Sequence, residues 1–359
     1  MRIGIPREIK TLEGRVGLMP AACAELVAQK HDVFIETSAG ILSGYSDDNY
    51  QAVGVTVLPD AASLYAESEL IVKVKEPQSA ELGYLRANHL LFCFLHLAAY
   101  PELTEALQKI GLTAIGFETV EVEGQLPLLM PMSMIAGRLA TQIGTTLLHQ
   151  PQGGKGILLG GMTGSARGKI VILGAGAAGS QAANVATALG ANVIVFDKRW
   201  DRLATMQALG HNVTALYPYH EILSDVVREA DLVIGAVLIP GKRAPVVVDE
   251  EMVRSMQAGS VIVDISVDQG GCVATTHPTT YADPTYVYEG VTHFAVTNMP
   301  GAVPRTASQV LSTALLPFVI ALAQPNWNAA LGGGINVQDG EVVHPALTGV
   351  TTLPTTGIS

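Results

Sequence analysis

The chain has 359 residues, more than one compact core usually covers, so two domains are expected. Apolar residues make up 48% of it and charged residues 15%, a balance that favours dense packing and excludes intrinsic disorder. The net charge of −11, from 32 acidic and 21 basic residues with no Lys/Arg-rich run, argues against nucleic acid as a partner, although a few converging cations can still reverse the field locally for an anionic substrate.

The opening MRIGIPREIK lacks the apolar core of a secretory signal, so no export by that route is expected. Short apolar runs at 2–5, 32–36, 55–58, 70–75, 89–96 and 112–120 alternate with segments of helical spacing at 20–30 and 101–110. Each of those two helices begins with a proline, which suits the first turn, and the alternation predicts a parallel α/β sheet. A long helix over 130–150 and the Gly-rich stretch after it read as a connector into a second domain. There the rhythm resumes with strands at 170–173, 193–196, 213–216, 232–236, 261–265 and 294–297, the pattern of a doubly wound nucleotide-binding fold. After Pro304 an apolar helical stretch to about Ala323 is expected to return to the first domain, leaving a Gly-, Thr- and Pro-rich tail with no assigned role.

The most apolar runs, 90–97 and 310–323, fall short of the roughly 20 residues that span a bilayer, so no membrane association is expected. Cys23, Cys93 and Cys272 are too widely spaced for a disulfide framework or a CxxC metal pattern, which points to a cytoplasmic protein without a metal site and to Cys272 as a small buried residue.

The segment KIVILGAGAAGSQAANVATALGANVIVFDK sets Gly174, Gly176 and Gly179 between an apolar strand and an Ala-rich helix that opens with Ala177 and Ala178, and Asp197 ends the next strand. Gly174 permits the tight turn, Gly176 a close approach of backbone to pyrophosphate, and Gly179 close packing of helix on strand. The phosphates then meet the positive end of the helix dipole. A carboxylate at Asp197 accepts hydrogen bonds from the adenosine ribose and repels a 2′-phosphate, so NAD is expected over NADP, with Lys198 and Arg199 able to soften that preference.

In open parallel sheets ligands sit beyond the carboxyl ends of the strands. Lys75 and His96 end two strands of the first half; Asp268 and Asn298 follow two strands of the second, and facing strand ends would gather them in one cleft. Each also has a plain structural reading. A strand-end lysine is usually solvated, Lys73 on the same face dilutes the signal, a lone histidine is usually structural, and the DQGG that Asp268 opens could be only a tight turn.

On GIPREIK, EGRVGLMP, VKVKEP, FLHLA, GFETV, PMSMIAGR, GAGAAG, DLVIGAVLIPG, DISVDQGGC and TNMPGAVPRTAS, the chain resembles the alanine dehydrogenases, in the family they share with the N-terminal subunit of transhydrogenase. The resemblance implies substrate binding by Arg15 and Lys75, and catalysis by His96 and Asp268. It implies cofactor contacts from Ser133, Ala177, Ala178, Asp197, Arg202, Val237, Leu238, Val267, Asp268, Val296, Thr297, Asn298 and Met299. It further implies a discontinuous substrate domain of residues 1–128 and 305–359, a central NAD domain of 129–304, and a homohexamer acting on L-alanine, pyruvate and ammonia. Departures from the family pattern are His277 for an arginine, Phe117 for a tyrosine and Arg202 for a lysine.

The residue chemistry fits those roles. Arg15 offers a fork matched to a carboxylate, on a Gly-containing turn expected to expose it. Lys75 offers a compact charge, and His96 an imidazole able to take up or release a proton. Three other readings stay open: a transhydrogenase hydride-transfer subunit, a saccharopine-type dehydrogenase with a longer substrate, and a nucleotide-sensing protein without chemistry.

Overall fold

The computed structural model describes residues 1–239, 243–325 and 327–347. It divides into two compact units, Met1–Met132 with Gly301–Ser359, and Ser133–Pro300. Residues 348–359, part of the expected substrate-domain segment, lie outside the described residues.

In chain order the strands are β1 Arg2–Ile5, β2 Asp32–Glu36, β3 Thr56–Leu58, β4 Leu70–Val72, β5 Leu90–Cys93, β6 Thr113–Gly116, β7 Lys169–Leu173, β8 Asn192–Phe196, β9 Val213–Leu216, β10 Leu232–Gly235, β11 Val261–Asp264, β12 Thr285–Tyr288, β13 Val291–Phe294, β14 Ile335–Gln338 and β15 Glu341–Val342. The first unit holds an eight-stranded sheet of order β15-β14-β6-β5-β4-β1-β2-β3; the second holds a seven-stranded sheet of order β12-β13-β11-β10-β7-β8-β9. Apart from β12, β14 and β15, which run antiparallel to their neighbours, the pairings are parallel.

The central strands form because both sheet faces are covered by helices, so their residues read as unbroken apolar runs: β4 and β10 are buried at every position. The connecting helices carry their own end signals. Pro101–Ile110 has Pro101 at its start, Glu102 in the first turn, Lys109 in the last, and Gly111 at φ 76° closing it.

Several boundaries differ from the sequence reading. β4 ends at Val72 and β5 at Cys93, each three residues short of the expected ends at Lys75 and His96. β13 lies at Val291–Phe294, three residues earlier than expected, since its register follows buried β11 from Val261↔Thr292 to Val263↔Phe294. The tail contributes β14, an antiparallel strand on β6.

The returning helix, Pro304–Leu322, runs as expected over 19 residues and is long and apolar enough by composition to cross a membrane. One face, including Ala307, Ser308, Leu311, Ser312, Leu315 and Val319, is buried within the first unit. Ser308 Oγ accepts the N–H of Val16 at 2.9 Å and Ser312 Oγ that of Met19 at 3.0 Å, so this helix fastens the turn that carries Arg15.

Candidate active site

In the second unit the strand order reverses between β7 and β10, and the Gly-rich turn leaves β7 at that crevice. Gly174 has φ 96°, and a Cβ there would lie 2.6 Å from the carbonyl oxygen of Ala236. A Cβ on Gly179 would lie 1.8 Å from the carbonyl oxygen of Gly174, whereas one on Gly176 would meet only Arg202 Nη1 at 3.8 Å. Two glycines therefore close the turn and the third leaves its outer side open, beside the first turn of helix Ala177–Ala188 with half-buried Ala177 and Ala178.

Asp197 follows β8. Its carboxylate accepts the N–H groups of Ala175 and Arg199, both at 2.8 Å, and lies 3.6 Å from the Arg202 guanidinium. It thus links the Gly-rich turn to the end of the next strand. Val237 and Leu238 follow β10 at the same reversal point, Leu238 exposed. Ser133 sits half-buried near the start of helix Met130–Leu147.

Asp268 lies on a short 3-10 turn, Ile265–Gln269, that follows β11. The turn folds around Asp264, 1% exposed, whose carboxylate accepts the N–H groups of Ser266 (3.0 Å), Cys272 (2.9 Å) and Val273 (3.2 Å). Burial pushes the Asp264 carboxyl up while those backbone donors pull it down. Gly235 beneath it is needed for space, since a Cβ there would meet Asp264 Oδ1 and Cys272 Sγ at 2.6 Å. Asp268 is exposed, and its carboxylate receives a long 3.5 Å contact from the N–H of Asn298, itself at φ 61°. Val267 and Met299 are buried beneath, as is Val296; Thr297 and Asn298 are half-buried. Cys272 is fully buried, as its sequence context suggested.

In the first unit, Arg15, Lys75 and His96 follow β1, β4 and β5, three neighbouring strands of one sheet. Arg15 is 2% exposed, which corrects the expectation that its turn exposes it. The reason is Glu13: its carboxylate accepts Arg15 Nε at 2.7 Å, the Arg15 backbone N–H at 3.0 Å, and the Nη2 donor as well. Both residues nonetheless line a cavity of about 450 Å³ together with Arg7, Glu8, Ile41 and Leu42.

His96 is half-buried and left-handed, at φ 50° and ψ 35°. Glu118, just past β6, accepts the N–H groups of His96 at 2.6 Å and Leu95 at 3.2 Å, and the Phe94 ring stacks parallel to the imidazole with centroids 5.7 Å apart. Lys75 is nearly buried, and its backbone N–H makes a 3.4 Å contact with Glu8.

Lys73, which in sequence only dilutes the signal of Lys75, is wholly buried between Glu8 at 3.3 Å and Glu81 at 3.1 Å. Burial alone would lower its pKa, but the two carboxylates raise it, so it stays an ammonium. Glu8, Glu13, Glu118 and Asp264 were missed from sequence. Asp264, a lone acid ending the otherwise apolar VIVD strand, was the one with a readable signal.

The family model "Alanine dehydrogenase/PNT, N-terminal domain" matches residues 4–136, and "Alanine dehydrogenase/PNT, C-terminal domain" matches residues 140–345. The chain belongs to the alanine dehydrogenase/PNT family. It is 46% identical to an alanine dehydrogenase of Halomonas elongata, over 97% of this chain and 96% of that one. It is likewise 46% identical to that of Bacillus subtilis, over 97% and 94%. A solved L-alanine dehydrogenase superposes with a TM-score of 0.94 at 50% identity, over 98% of this chain and 99% of that one. A transhydrogenase from Sinorhizobium meliloti superposes with a TM-score of 0.85 at 26% identity, over 96% and 100%. Within the family, the chain is thus markedly more similar to alanine dehydrogenases than to this transhydrogenase. Family membership brings a nicotinamide cofactor with it, and the open side of Gly176 beside a free helix N-terminus is a fitting cradle for its pyrophosphate.

Proposed function

We propose that the chain catalyses the oxidative deamination of L-alanine to pyruvate and ammonia with NAD, and the reverse reductive amination. The observation that carries this reading is near-full-length identity of 46–50% to alanine dehydrogenases. NAD rather than NADP is favoured by Asp197, at the end of β8. Ser133, Arg202, Val237, Leu238, Val267 and the Val296–Met299 stretch complete the proposed cofactor site in a central domain, and both ends of the chain build the proposed substrate domain.

Bound nicotinamide supplies the acceptance of the α-hydrogen of L-alanine as hydride. Arg15 and Lys75 hold the substrate carboxylate, one through a planar fork and one as a point charge. Arg15 does so while sharing its donors with Glu13, which keeps the guanidinium in one orientation. The iminium left on the substrate takes up water, and ammonia departs; both steps move protons, for which His96 and Asp268 are proposed. Glu118 holds the backbone of His96, and Asp264 that of the Asp268 turn. A cytoplasmic homohexamer completes the proposal, to be checked by light scattering.

The direct test is ammonia-dependent NADH oxidation across a panel of 2-oxo acids. Pyruvate should be the preferred substrate; oxidation that instead requires a second nucleotide and ignores ammonia would favour the transhydrogenase reading. His96→Ala and Asp268→Asn should each lower kcat by about 10² to 10⁴ with little change in NADH binding, and the double variant should be little worse than the poorer single one. Additive losses would remove the shared proton-transfer role.

A further inference from the structure

β1 and β4 are parallel neighbours, paired Ile3↔Leu70 and Gly4↔Ile71, and the strand order of the first sheet reverses between them. The two segments that leave their carboxyl ends, 6–19 and 73–78, carry Arg15 and Lys75. Two ion pairs of opposite polarity tie these segments together. Glu8 of the first segment meets Lys73 of the second at 3.3 Å, and Lys10 of the first meets Glu76 of the second. Glu8 also accepts the N–H of Val74 at 2.6 Å, and Lys73 is backed by Glu81, which in turn accepts the Tyr65 hydroxyl at 2.9 Å and the Gln78 N–H at 2.8 Å. Lys75 is therefore bracketed on both sides, by residues tied to Glu8 before it and by Glu76, tied to Lys10, after it.

A wholly buried lysine between two carboxylates is poor value for stability alone, because well-packed apolar residues of the same volume commonly do as well. What opposed charges add is register: sliding one segment along the other would break both pairs and bury unpaired charges. We propose that Lys73 and Lys10 are positioning residues, whose two cross-ties fix the Arg15 segment against the Lys75 segment and so set the spacing of the two cations that receive the substrate carboxylate. Neither touches substrate, and the inference rests on the proposed alanine dehydrogenase activity.

The test is steady-state reductive amination with NADH binding measured in parallel. Lys10 is the tractable rung, with its side chain 30% exposed, so Lys10→Met should fold. Its KM for pyruvate should rise on the order of tenfold, with kcat within about twofold and NADH affinity unchanged. Lys10→Arg, which keeps the tie, should stay near wild type. Lys73→Met, where it folds, should shift KM at least as far. The double variant Lys10→Met/Glu76→Gln separates geometry from simple attraction of an anion, because it has the net charge of the intact pair but not the tie. A KM that stays raised supports the cross-ties; a KM restored to wild type overturns them, as does an unchanged KM in Lys10→Met. A wild-type protein that binds NADH but turns over no pyruvate would overturn the functional reading instead, and this inference with it.

Discussion

Replacing Glu118 with Ala isolates what holds His96. The left-handed conformation at φ 50° and ψ 35° costs a residue with a Cβ about 1–2 kcal/mol. Against that cost the Glu118 carboxylate accepts the N–H groups of His96 and Leu95, and charge-assisted bonds contribute about 1.5–3 kcal/mol each. The pair outweighs the strain, so the histidine stays where it is. In Glu118→Ala the strain is unopposed, and a release of about 1–2 kcal/mol corresponds to a roughly 5- to 30-fold smaller population of the present conformer. Turnover should fall by that factor. Glu118→Gln keeps one carbonyl acceptor, whose neutral bonds of about 0.5–1.5 kcal/mol only partly match the strain, so a loss of about two- to fivefold is expected. The assay is kcat for pyruvate amination at saturating NADH and ammonia, with fluorescence titration of NADH as the control for folding. A kcat within twofold of wild type in Glu118→Ala would show that the conformation needs no such anchor. A loss as large as that of His96→Ala would show that Glu118 takes part in the chemistry itself.

Asp197→Ala should weaken NADH about tenfold and shift relative preference toward NADPH, since it removes both the ribose acceptor and the 2.8 Å bond to the Ala175 N–H; unchanged NADH/NADPH discrimination would place ribose reading elsewhere. Gly179→Ala, with its Cβ 1.8 Å from the Gly174 oxygen, should abolish NADH binding while circular dichroism is preserved, and an affinity within threefold of wild type would refute the packing argument. Burial works against the Glu76 carboxylate, but Lys10 and then Lys75 hold it below its ordinary 4.5; burial likewise works against the Lys10 ammonium, but Glu76 holds it above 10.5. Their tie, worth at most about 1 kcal/mol, is thus present between those limits, lost as pH falls through the folded value of Glu76 and as it rises through that of Lys10. The melting-temperature difference between wild type and Lys10→Met should be level from about pH 6 to 9 and shrink below pH 4; a difference that grows in acid would contradict the pairing.

The parts of this fold that sequence revealed are those governed by local rules. Apolar runs gave the central strands because burial on both faces leaves no room for polar residues, and GAGAAG was legible because strand, turn, helix and the acid at Asp197 are contiguous in sequence. β14 was not legible: Ile335–Gln338 is a strand only because β6 offers it an edge, and a Gly-, Thr- and Pro-rich tail has little signal of its own. The displacement of β13 has the same origin, since neighbouring β11 and not local composition decides which residues join the ladder. The burial of Lys73 was illegible for a related reason. Its solvation could be judged only with Glu8 and Glu81 in view, one of them 65 residues away.

Glu8, Glu118 and Asp264, which were missed, share a physical task with Asp197, which was not. Where parallel strands end, the backbone N–H groups of the departing segments lose their ladder partners at the edge where ligands bind. A single carboxylate can accept two or three of them at once, and this is what Glu118 does for Leu95 and His96, Glu8 for Val74 and Lys75, Asp264 for the Asp268 turn, and Asp197 for Ala175 and Arg199. Each anchor lies against a residue proposed to bind or react. In the first unit the same acids also balance charge. Glu8 and Glu81 pair with Lys73, Glu76 with Lys10, and Glu13 with Arg15. In the proposed site an arriving carboxylate would thus meet cations whose charge is already partly offset by neighbouring acids. Its recognition would then rest on the direction of the Arg15 and Lys75 donors, which the carboxylate anchors and the two proposed cross-ties would supply.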